Sequence, residues 1–170
     1  MSQPANILYV DDEDLSHILF KAVFEDHYNV FTAISAQDGI EILRRESIDV
    51  LITDQSMPEM TGAELLEAIH DEFPTIGRVM LTAYSDIDAI IQAINSGRID
   101  RYVTKPWEEQ SLRAVIDQAL ALHHQRIERQ QQIDSLQQEI ARERQLRQAL
   151  QEHVPQEVLD ELLSSESDSA

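Results

Sequence analysis

Cysteine is absent from this chain of 170 residues, and positive charge is scarce. Without cysteine there is neither a disulfide framework nor a thiolate metal site, which fits a cytoplasmic protein. The chain has 13 Lys and Arg residues against 32 Asp and Glu residues, so its formal net charge is −19. A surface this acidic argues against nucleic acid or an anionic membrane as a direct partner.

Long apolar runs are also missing. No run approaches the roughly 20 residues that span a bilayer. The N-terminal sequence MSQPANILYV has neither a basic region nor a long apolar one, so we expect no signal peptide. Hydrophobic residues nevertheless make up 42% of the chain, enough for a buried core, and the length suits one domain with an appendage.

Short apolar runs alternate with helix-like segments from residue 6 to about residue 122. The five runs are Ile7–Val10, Val30–Ala33, Val50–Thr53, Val79–Thr82 and Tyr102–Thr104. Their shortness and lack of polar alternation are typical of strands buried in a parallel sheet. The alternation predicts an α/β fold, a five-stranded, doubly wound parallel sheet with helices on both faces. We expect the flavodoxin-like strand order 2-1-3-4-5.

Five helices are predicted from apolar residues at helical spacing. The stripe of the first helix consists of Leu15, Ile18, Leu19, Ala22 and Val23. Capping signals mark three helix starts, namely Ser35 with Asp38, Thr61 with Glu64, and Ser85 with Asp88. Gly97 follows the fourth predicted helix, where a left-handed C-cap is expected. The six histidines are scattered, and we interpret them as solvated helix residues.

The composition changes after residue 122. From His123 to Glu152 the chain is rich in Gln, Arg and Glu and lacks Gly and Pro, so the fifth helix is expected to continue. With Ile133 at position a, the a and d positions of a heptad are Ile133, Leu136, Ile140, Glu143, Arg147, Leu150 and Val154. Charged Glu143 and Arg147 weaken this pattern, and a dimerising coiled coil and a solvated helical linker both remain open.

Three segments follow from this change in composition. We expect a compact domain over residues 5–122, a helical linker or coiled coil over 123–153, and a short helix with a disordered tail over 154–170. Pro155 cannot lie inside a helix, so it separates the last two helices.

Charged side chains directly follow three of the apolar runs. Asp11 and Asp12 follow the first, Asp54 the third and Lys105 the fifth. Because ligands bind outside the carboxyl ends of strands in open parallel sheets, we expect these groups to meet there. One lysine does not balance three carboxylates, which predicts a divalent cation and a phosphate. A carboxylate at such a site can attack phosphorus and form an acyl phosphate, and Mg²⁺ prefers its oxygen ligands.

Four sequence motifs lie at the predicted strand ends. They are YVDDED at 9–14, LITDQSMPEMTG at 51–62, VMLTAYSD at 79–86 and RYVTKPW at 101–107. With these motifs in this order and spacing, the chain resembles the receiver domain of response regulators in two-component signalling. The resemblance covers residues 6 to about 122.

The resemblance implies roles for the residues at the site. Asp54 resembles the phosphoacceptor, which receives phosphate from a histidine kinase. Asp12 and Asp54 would bind Mg²⁺ directly, Ser56 through its backbone carbonyl and Asp11 through water. Lys105 resembles the lysine that pairs with the aspartyl phosphate, and its bond to the following proline is expected to be cis.

Three further residues match positions that act after phosphorylation. Thr82 resembles the switch hydroxyl that moves toward the phosphate. Tyr102 resembles the aromatic residue that reports switching on the face made by the fourth helix, fifth strand and fifth helix. Tyr84, like Ser56, flanks the phosphate where relatives tune attack by water, and its bulk is expected to slow dephosphorylation.

The resemblance also implies partners. We expect a histidine kinase or a histidine phosphotransfer protein, and a homodimer through the C-terminal helix or the helix 4–strand 5–helix 5 face. As a receiver, the chain would catalyse only its own phosphorylation and dephosphorylation. The sequence has neither a helix-turn-helix pattern nor a basic patch, so we do not expect this chain to bind DNA.

Two classes of output remain open. The chain is either a stand-alone receiver acting by protein contact or phosphorelay, or the N-terminal regulatory part of a nucleotide cyclase or cyclic-di-GMP phosphodiesterase. Residues 153–163 faintly resemble the start of a class III cyclase domain, and RYVTKPW resembles receivers attached to cyclic-di-GMP enzymes. The length of the reading frame beyond Ala170 distinguishes the two classes.

Overall fold

The computed structural model describes residues 4–83, 91 and 94–153. The chain divides into two compact units, residues 1–127 and residues 128–170, and each is described by itself. Most of the fourth predicted helix, its Ser85 cap and the segment after Pro155 lie outside the described residues.

A five-stranded parallel sheet forms the centre of the first unit. Its strands are β1 (Asn6–Val10), β2 (Asn29–Ala33), β3 (Val50–Asp54), β4 (Gly77–Thr82) and β5 (Arg101–Thr104). Neighbouring strands pair in parallel in the order β2-β1-β3-β4-β5, which confirms the predicted topology. All residues of β3 and β4 are buried, whereas the edge strands β2 and β5 are partly exposed.

Helices cover both faces of the sheet. They are α1 (Asp14–Phe24), α2 (Ala36–Arg45), α3 (Gly62–Ile69) and α4 (Glu109–His153), the last being the fifth predicted helix. One buried cluster joins β1, β3 and β4 to α2 and α3, and the other joins the same strands to α1 and α4. Successive strand residues point to opposite faces, so Leu8 belongs to the first cluster and Ile7 and Tyr9 to the second.

The capping predictions are confirmed where the structure describes them. The Thr61 hydroxyl accepts the N–H of Glu64, and the Glu64 carboxylate accepts the N–H of Thr61, which completes a capping box at the start of α3. The Ser35 hydroxyl accepts the N–H of Asp38 at the start of α2. Gly97 has a φ of 71°, the left-handed conformation expected at a C-cap.

Helix α1 contacts the sheet through a different face from its aliphatic stripe. Leu15, Ile18 and Leu19 are 79%, 65% and 55% exposed. The buried residues of α1 are His17, Phe20 and Phe24. Phe20 stacks on Tyr9 of β1 with ring centroids 4.3 Å apart, and both phenylalanines contact the Trp107 ring. The larger aromatic rings take the interior position because they bury more apolar surface than the aliphatic side chains.

The interpretation of every histidine as solvated is wrong for His17, which is buried against the sheet, and for His123. The His123 side chain is buried, Nδ1 donates to the backbone carbonyl of Thr75 at 2.9 Å, and Nε2 lies 3.2 Å from an Asp49 carboxylate oxygen. Sequence spacing did not indicate this contact because Thr75 and Asp49 precede strands β4 and β3, far away in the chain. His123 therefore fixes part of α4 at the amino edge of the sheet.

Arg126 makes a second contact at the same edge. Its guanidinium binds both carboxylate oxygens of Asp100, and it also donates to the carbonyl of Ile76 at 2.9 Å. The Asp100 side chain is 6% exposed and accepts the backbone N–H of Arg78 at 2.8 Å. A buried carboxylate that loses its cation retains an uncompensated charge, so this pair is expected to matter for stability.

We predict that Arg126→Ala lowers the free energy of unfolding by about 3 kcal/mol, because Asp100 then stays buried without its cation. Urea denaturation followed by circular dichroism measures the change. The matched control is Arg129→Ala, which removes an exposed arginine one turn later in α4 and should change the free energy by less than about 0.5 kcal/mol. Equal effects of the two substitutions would show that the Asp100 contact contributes no stability.

Candidate functional site

Three strand ends meet at the carboxyl edge of the sheet. The register pairs Val10 with Thr53, so Asp11 and Asp54 follow neighbouring positions of β1 and β3. Lys105 follows β5 and extends across the crevice between them. Its Nζ lies 2.7 Å from Asp54 Oδ1 and 3.0 Å from Asp11 Oδ2. Of the four charged groups predicted to meet here, the structure therefore brings Asp11, Asp54 and Lys105 together.

The loop after β3 fixes the position of Asp54. The N–H of Gln55 donates to the carbonyl of Leu81 at 2.9 Å, and the N–H of Ser56 donates to Asp54 Oδ2 at 3.1 Å. At Gly62 a Cβ atom would lie 2.3 Å from the Asp54 backbone carbonyl. Only glycine lets the start of α3 approach the end of β3 this closely.

Asp11 is fixed by donors that the sequence did not reveal. The Tyr9 hydroxyl donates to Asp11 Oδ2 at 2.7 Å, and the N–H of Glu13 donates to Oδ1 at 3.0 Å. His17 Nε2 donates to the Asp11 backbone carbonyl at 2.6 Å. The only sequence signal was the tyrosine in YVDDED, because residues i and i+2 of an extended segment lie on the same face. Tyr9 and His17 thus hold the carboxylate and backbone of Asp11.

Burial and hydrogen bonding give the two carboxylates opposite pKa shifts. Burial raises the pKa of Asp54, and the negative charge of Asp11 adds to this although Lys105 opposes it. Burial also acts to raise the pKa of Asp11, but hydrogen bonds from Tyr9, Glu13 and Lys105 outweigh it and lower that pKa. Asp54 is therefore the carboxylate whose charge the protein leaves less compensated.

Lys105 remains a cation in this environment. Burial acts to lower the pKa of Lys105, but its hydrogen bonds to Asp54 and Asp11 outweigh that effect and raise it. The Lys105–Pro106 peptide bond is cis, as the resemblance predicts. Lys105 is one of only two lysines in the chain, so the site contains half of this residue type.

The other predicted site residues differ in their exposure. Thr82 at the end of β4 is buried, and its hydroxyl donates to the carbonyl of Ala83 at 2.9 Å. Its own backbone carbonyl accepts the N–H of Lys105 at 2.7 Å. Tyr102 on β5 is 49% exposed, and Asp12 is also exposed. Tyr84 lies outside the described residues.

The residues that the resemblance assigns to a metal would offer it only oxygen, which ions of the Mg²⁺ type prefer over nitrogen or sulfur. They are Asp11, Asp12, Asp54 and the backbone carbonyl of Ser56. Within residues 4–83, 91 and 94–153, no three Asp, Glu or His side chains converge closely enough to hold a metal on their own. Lys105 stands between Asp11 and Asp54 in this arrangement, so its Nζ is the cation that the two carboxylates share.

The chain matches known proteins in the region that forms this crevice. The family model of the response regulator receiver domain matches residues 7–117. The hydrogenase transcriptional regulatory protein HoxA of Cupriavidus necator is 33% identical over 116 residues, which are 68% of this chain and 24% of that protein. The chain thus spans about a quarter of the length of this curated relative.

Two solved structures share the fold, and the match covers nearly the whole length of each of them. A response regulator receiver domain protein from Clostridium thermocellum is 35% identical, with a TM-score of 0.66 over 69% of this chain and 94% of that chain. The signal receiver domain of an HD domain-containing protein from Pseudomonas fluorescens Pf-5 is 31% identical, with a TM-score of 0.68 over 72% and 99%. With a sheet of the predicted order, the acid–lysine crevice and the family match over 7–117, this chain belongs to the response regulator receiver domain family of two-component systems.

Proposed function

We propose that the chain accepts a phosphoryl group on Asp54 from the phosphohistidine of a histidine kinase or a histidine phosphotransfer protein. The observation that supports this most directly is the contact of Lys105 Nζ with both Asp54 and Asp11. A cation at that place can bind a phosphoryl oxygen as a point charge once Asp54 is modified. Asp54 is the carboxylate whose pKa burial raises, so further positive charge favours its ionised form.

The transfer is a nucleophilic displacement at phosphorus. A carboxylate oxygen of Asp54 forms the new O–P bond, the P–N bond of the donor phosphohistidine breaks, and the imidazole leaves with the bonding electrons. Asp12, Asp54 and the backbone carbonyl of Ser56 would hold Mg²⁺, and Asp11 would hold it through water. When bound, Mg²⁺ supplies positive charge that offsets the developing charge on the phosphoryl oxygens.

Phosphorylation would redirect two donors at the crevice. The phosphoryl group adds roughly 1.5–2 negative charges and three acceptor oxygens. Lys105 Nζ would then bind a phosphoryl oxygen. The Thr82 hydroxyl would give up its hydrogen bond to the Ala83 carbonyl and donate to another phosphoryl oxygen. Because the N–H of Lys105 donates to the Thr82 carbonyl, these shifts would reach β5 and its half-exposed Tyr102. The signal would be a change in population between two arrangements.

The proposed function also assigns roles to the segments of the chain and to its self-association. We propose residues 5–122 as the receiver, 123–153 as a helical linker or coiled coil, and 154–170 as a further short segment. The receiver would form homodimers through the C-terminal part of α4 or through the face made by the fourth predicted helix, β5 and the start of α4, without direct contact to nucleic acid. Among the described residues no helix is long and apolar enough to cross a membrane.

A second candidate is that the receiver regulates an attached catalytic domain. The curated relative that it matches is about four times longer than the matched segment, and one structural neighbour is the receiver of an HD domain-containing protein. In that case the chain itself would still carry only the phosphorylation chemistry. A reading frame that continues beyond Ala170 by a domain of roughly 200 residues would favour this candidate.

We predict that Asp54→Asn abolishes phosphorylation, because an amide oxygen is too weak a nucleophile to replace the carboxylate. The measurement is incorporation of labelled phosphate from acetyl phosphate with Mg²⁺. Asp71→Asn is the matched control, since it changes the same group at an exposed position and should incorporate label normally. Label retained by the Asp54→Asn variant would refute the assignment of the acceptor.

Removing Lys105 should destabilise the folded chain at neutral pH. In Lys105→Met the carboxylates of Asp11 and Asp54 face each other without a cation, so the free energy of unfolding should fall by about 3 kcal/mol at pH 7. The pKa of Asp54, which burial already raises, then lies still further above its unfolded value, because Lys105 no longer opposes that shift. The variant should therefore regain stability as the pH falls from 7 to 5.

Urea denaturation at both pH values measures this effect of Lys105. Lys21→Met, at an exposed position near the end of α1, is the matched control and should leave both values nearly unchanged. A Lys105→Met variant as stable as the parent at pH 7 would contradict the proposed charge compensation.

Tyr84→Ala should accelerate loss of phosphate from Asp54, because the resemblance implies that this bulky residue, two positions after Thr82, flanks the phosphate and hinders attacking water. The rate is measured by release of labelled phosphate after removal of the donor, and Tyr84→Phe, which keeps the ring, is the matched control and should leave the rate unchanged. An unchanged rate in the Tyr84→Ala variant would remove the proposed role of this residue.

A further inference from the structure

Exposed apolar side chains follow the helix within the second compact unit. Ile133, Leu136, Ile140 and Leu150 are 41%, 59%, 48% and 45% exposed. Every residue from 128 to 152 is exposed. The four side chains occupy alternating a and d positions of one heptad register, so they form a single stripe along α4. A stripe of this kind is the surface through which helices pair in coiled coils.

We propose that this stripe, from Ile133 to Leu150, binds the same stripe of a second copy of the chain in a parallel, two-stranded coiled coil. The proposal narrows the self-association included in the proposed function to the helix. It does not depend on phosphorylation of Asp54, so the unphosphorylated chain can test it.

The residue types at the seam favour two parallel strands. Isoleucine occupies the a positions 133 and 140, and leucine occupies the d positions 136 and 150. Isoleucine at a with leucine at d is the combination that favours parallel dimers over trimers and tetramers, because of how each side chain packs between four residues of the facing helix. The partner that fits this surface is therefore one identical helix in register.

The net charge of residues 128–152 is smaller in magnitude than that of the rest of the chain, so two copies repel each other least along this segment. The whole chain carries a formal charge of −19, which opposes contact between copies over most of its surface. Residues 128–152 contain four arginines and five acidic residues, so this segment is nearly neutral. In a parallel pair Glu139 at position g faces Arg144 at position e of the other helix, which adds an attractive contact between chains.

The two charged seam positions limit the strength of the pair. Glu143 and Arg147 occupy d and a positions, and Arg147 Nη2 lies 3.7 Å from Glu143 Oε1 within the same helix. Parallel pairing places these two layers one turn apart, so opposite charges are neighbours along the seam. Polar layers reduce coiled-coil stability but fix its register. We therefore expect a dimer that forms in one register and dissociates on dilution.

Sedimentation equilibrium of the full chain tests the association. The parent should show a concentration-dependent monomer–dimer equilibrium. Ile140→Gln should raise the dissociation constant about 100-fold, because two buried isoleucine contacts are lost in each dimer. The matched control, Gln138→Ala, changes a position away from the seam and should leave the constant unchanged. A monomeric parent, or a dimer that Ile140→Gln does not weaken, would overturn the proposal.

Disulfide cross-linking tests whether the two helices are parallel. The chain has no native cysteine, so each engineered cysteine is the only thiol. Leu136→Cys and Leu150→Cys each place one thiol at a d position, near opposite ends of the seam. In a parallel pair in register, both variants form symmetric disulfide dimers under mild oxidation, and Gln138→Cys does so much less. An antiparallel pair centred on the seam would cross-link neither, because position 136 would then lie far from its copy, and this result would overturn the parallel arrangement.

Discussion

The carboxyl edge of the sheet depends on one shared cation. Lys105 Nζ contacts Asp54 at 2.7 Å and Asp11 at 3.0 Å, and both carboxylates are largely removed from water. Two buried like charges in neighbouring strands would repel each other without it. The same cation is what a phosphoryl group on Asp54 would meet first. The charge balance at this edge and the proposed phosphorylation of Asp54 therefore both depend on the Lys105 ammonium group.

The rest of the fold positions Lys105 and the two carboxylates that it contacts. Parallel pairing in the order β2-β1-β3-β4-β5 brings the ends of β1 and β3 side by side and places Lys105 across the crevice from them. Close approach at Gly62 holds Asp54, and the Tyr9 hydroxyl holds Asp11. At the opposite edge, His123 and Arg126 attach α4 to residues that precede β3, β4 and β5. The helix proposed to transmit the signal is thus hydrogen-bonded to the segments that lead into three strands of the sheet.

The topology and the meeting of Asp11, Asp54 and Lys105 were predictable from the sequence, because central parallel strands are uniformly apolar and these charged residues stand at their ends. The face that α1 turns toward the sheet was not. Leu15, Ile18 and Leu19 define a stripe at helical spacing, but spacing does not tell which stripe meets the sheet, and Phe20 and Phe24 bury more area. The bonds of His123 and Arg126 were also missed, since their partners are distant in the chain and carry no local signal.

Among the many acidic residues of the chain, Asp54 is the one that we propose becomes an acyl phosphate. Borohydride reduces an aspartyl phosphate to homoserine, which survives digestion and is located by mass spectrometry of the peptides. After treatment of the parent chain with acetyl phosphate and Mg²⁺, we expect homoserine at position 54 and unmodified aspartate at positions 11 and 12. Homoserine at another position, with aspartate intact at 54, would contradict the account.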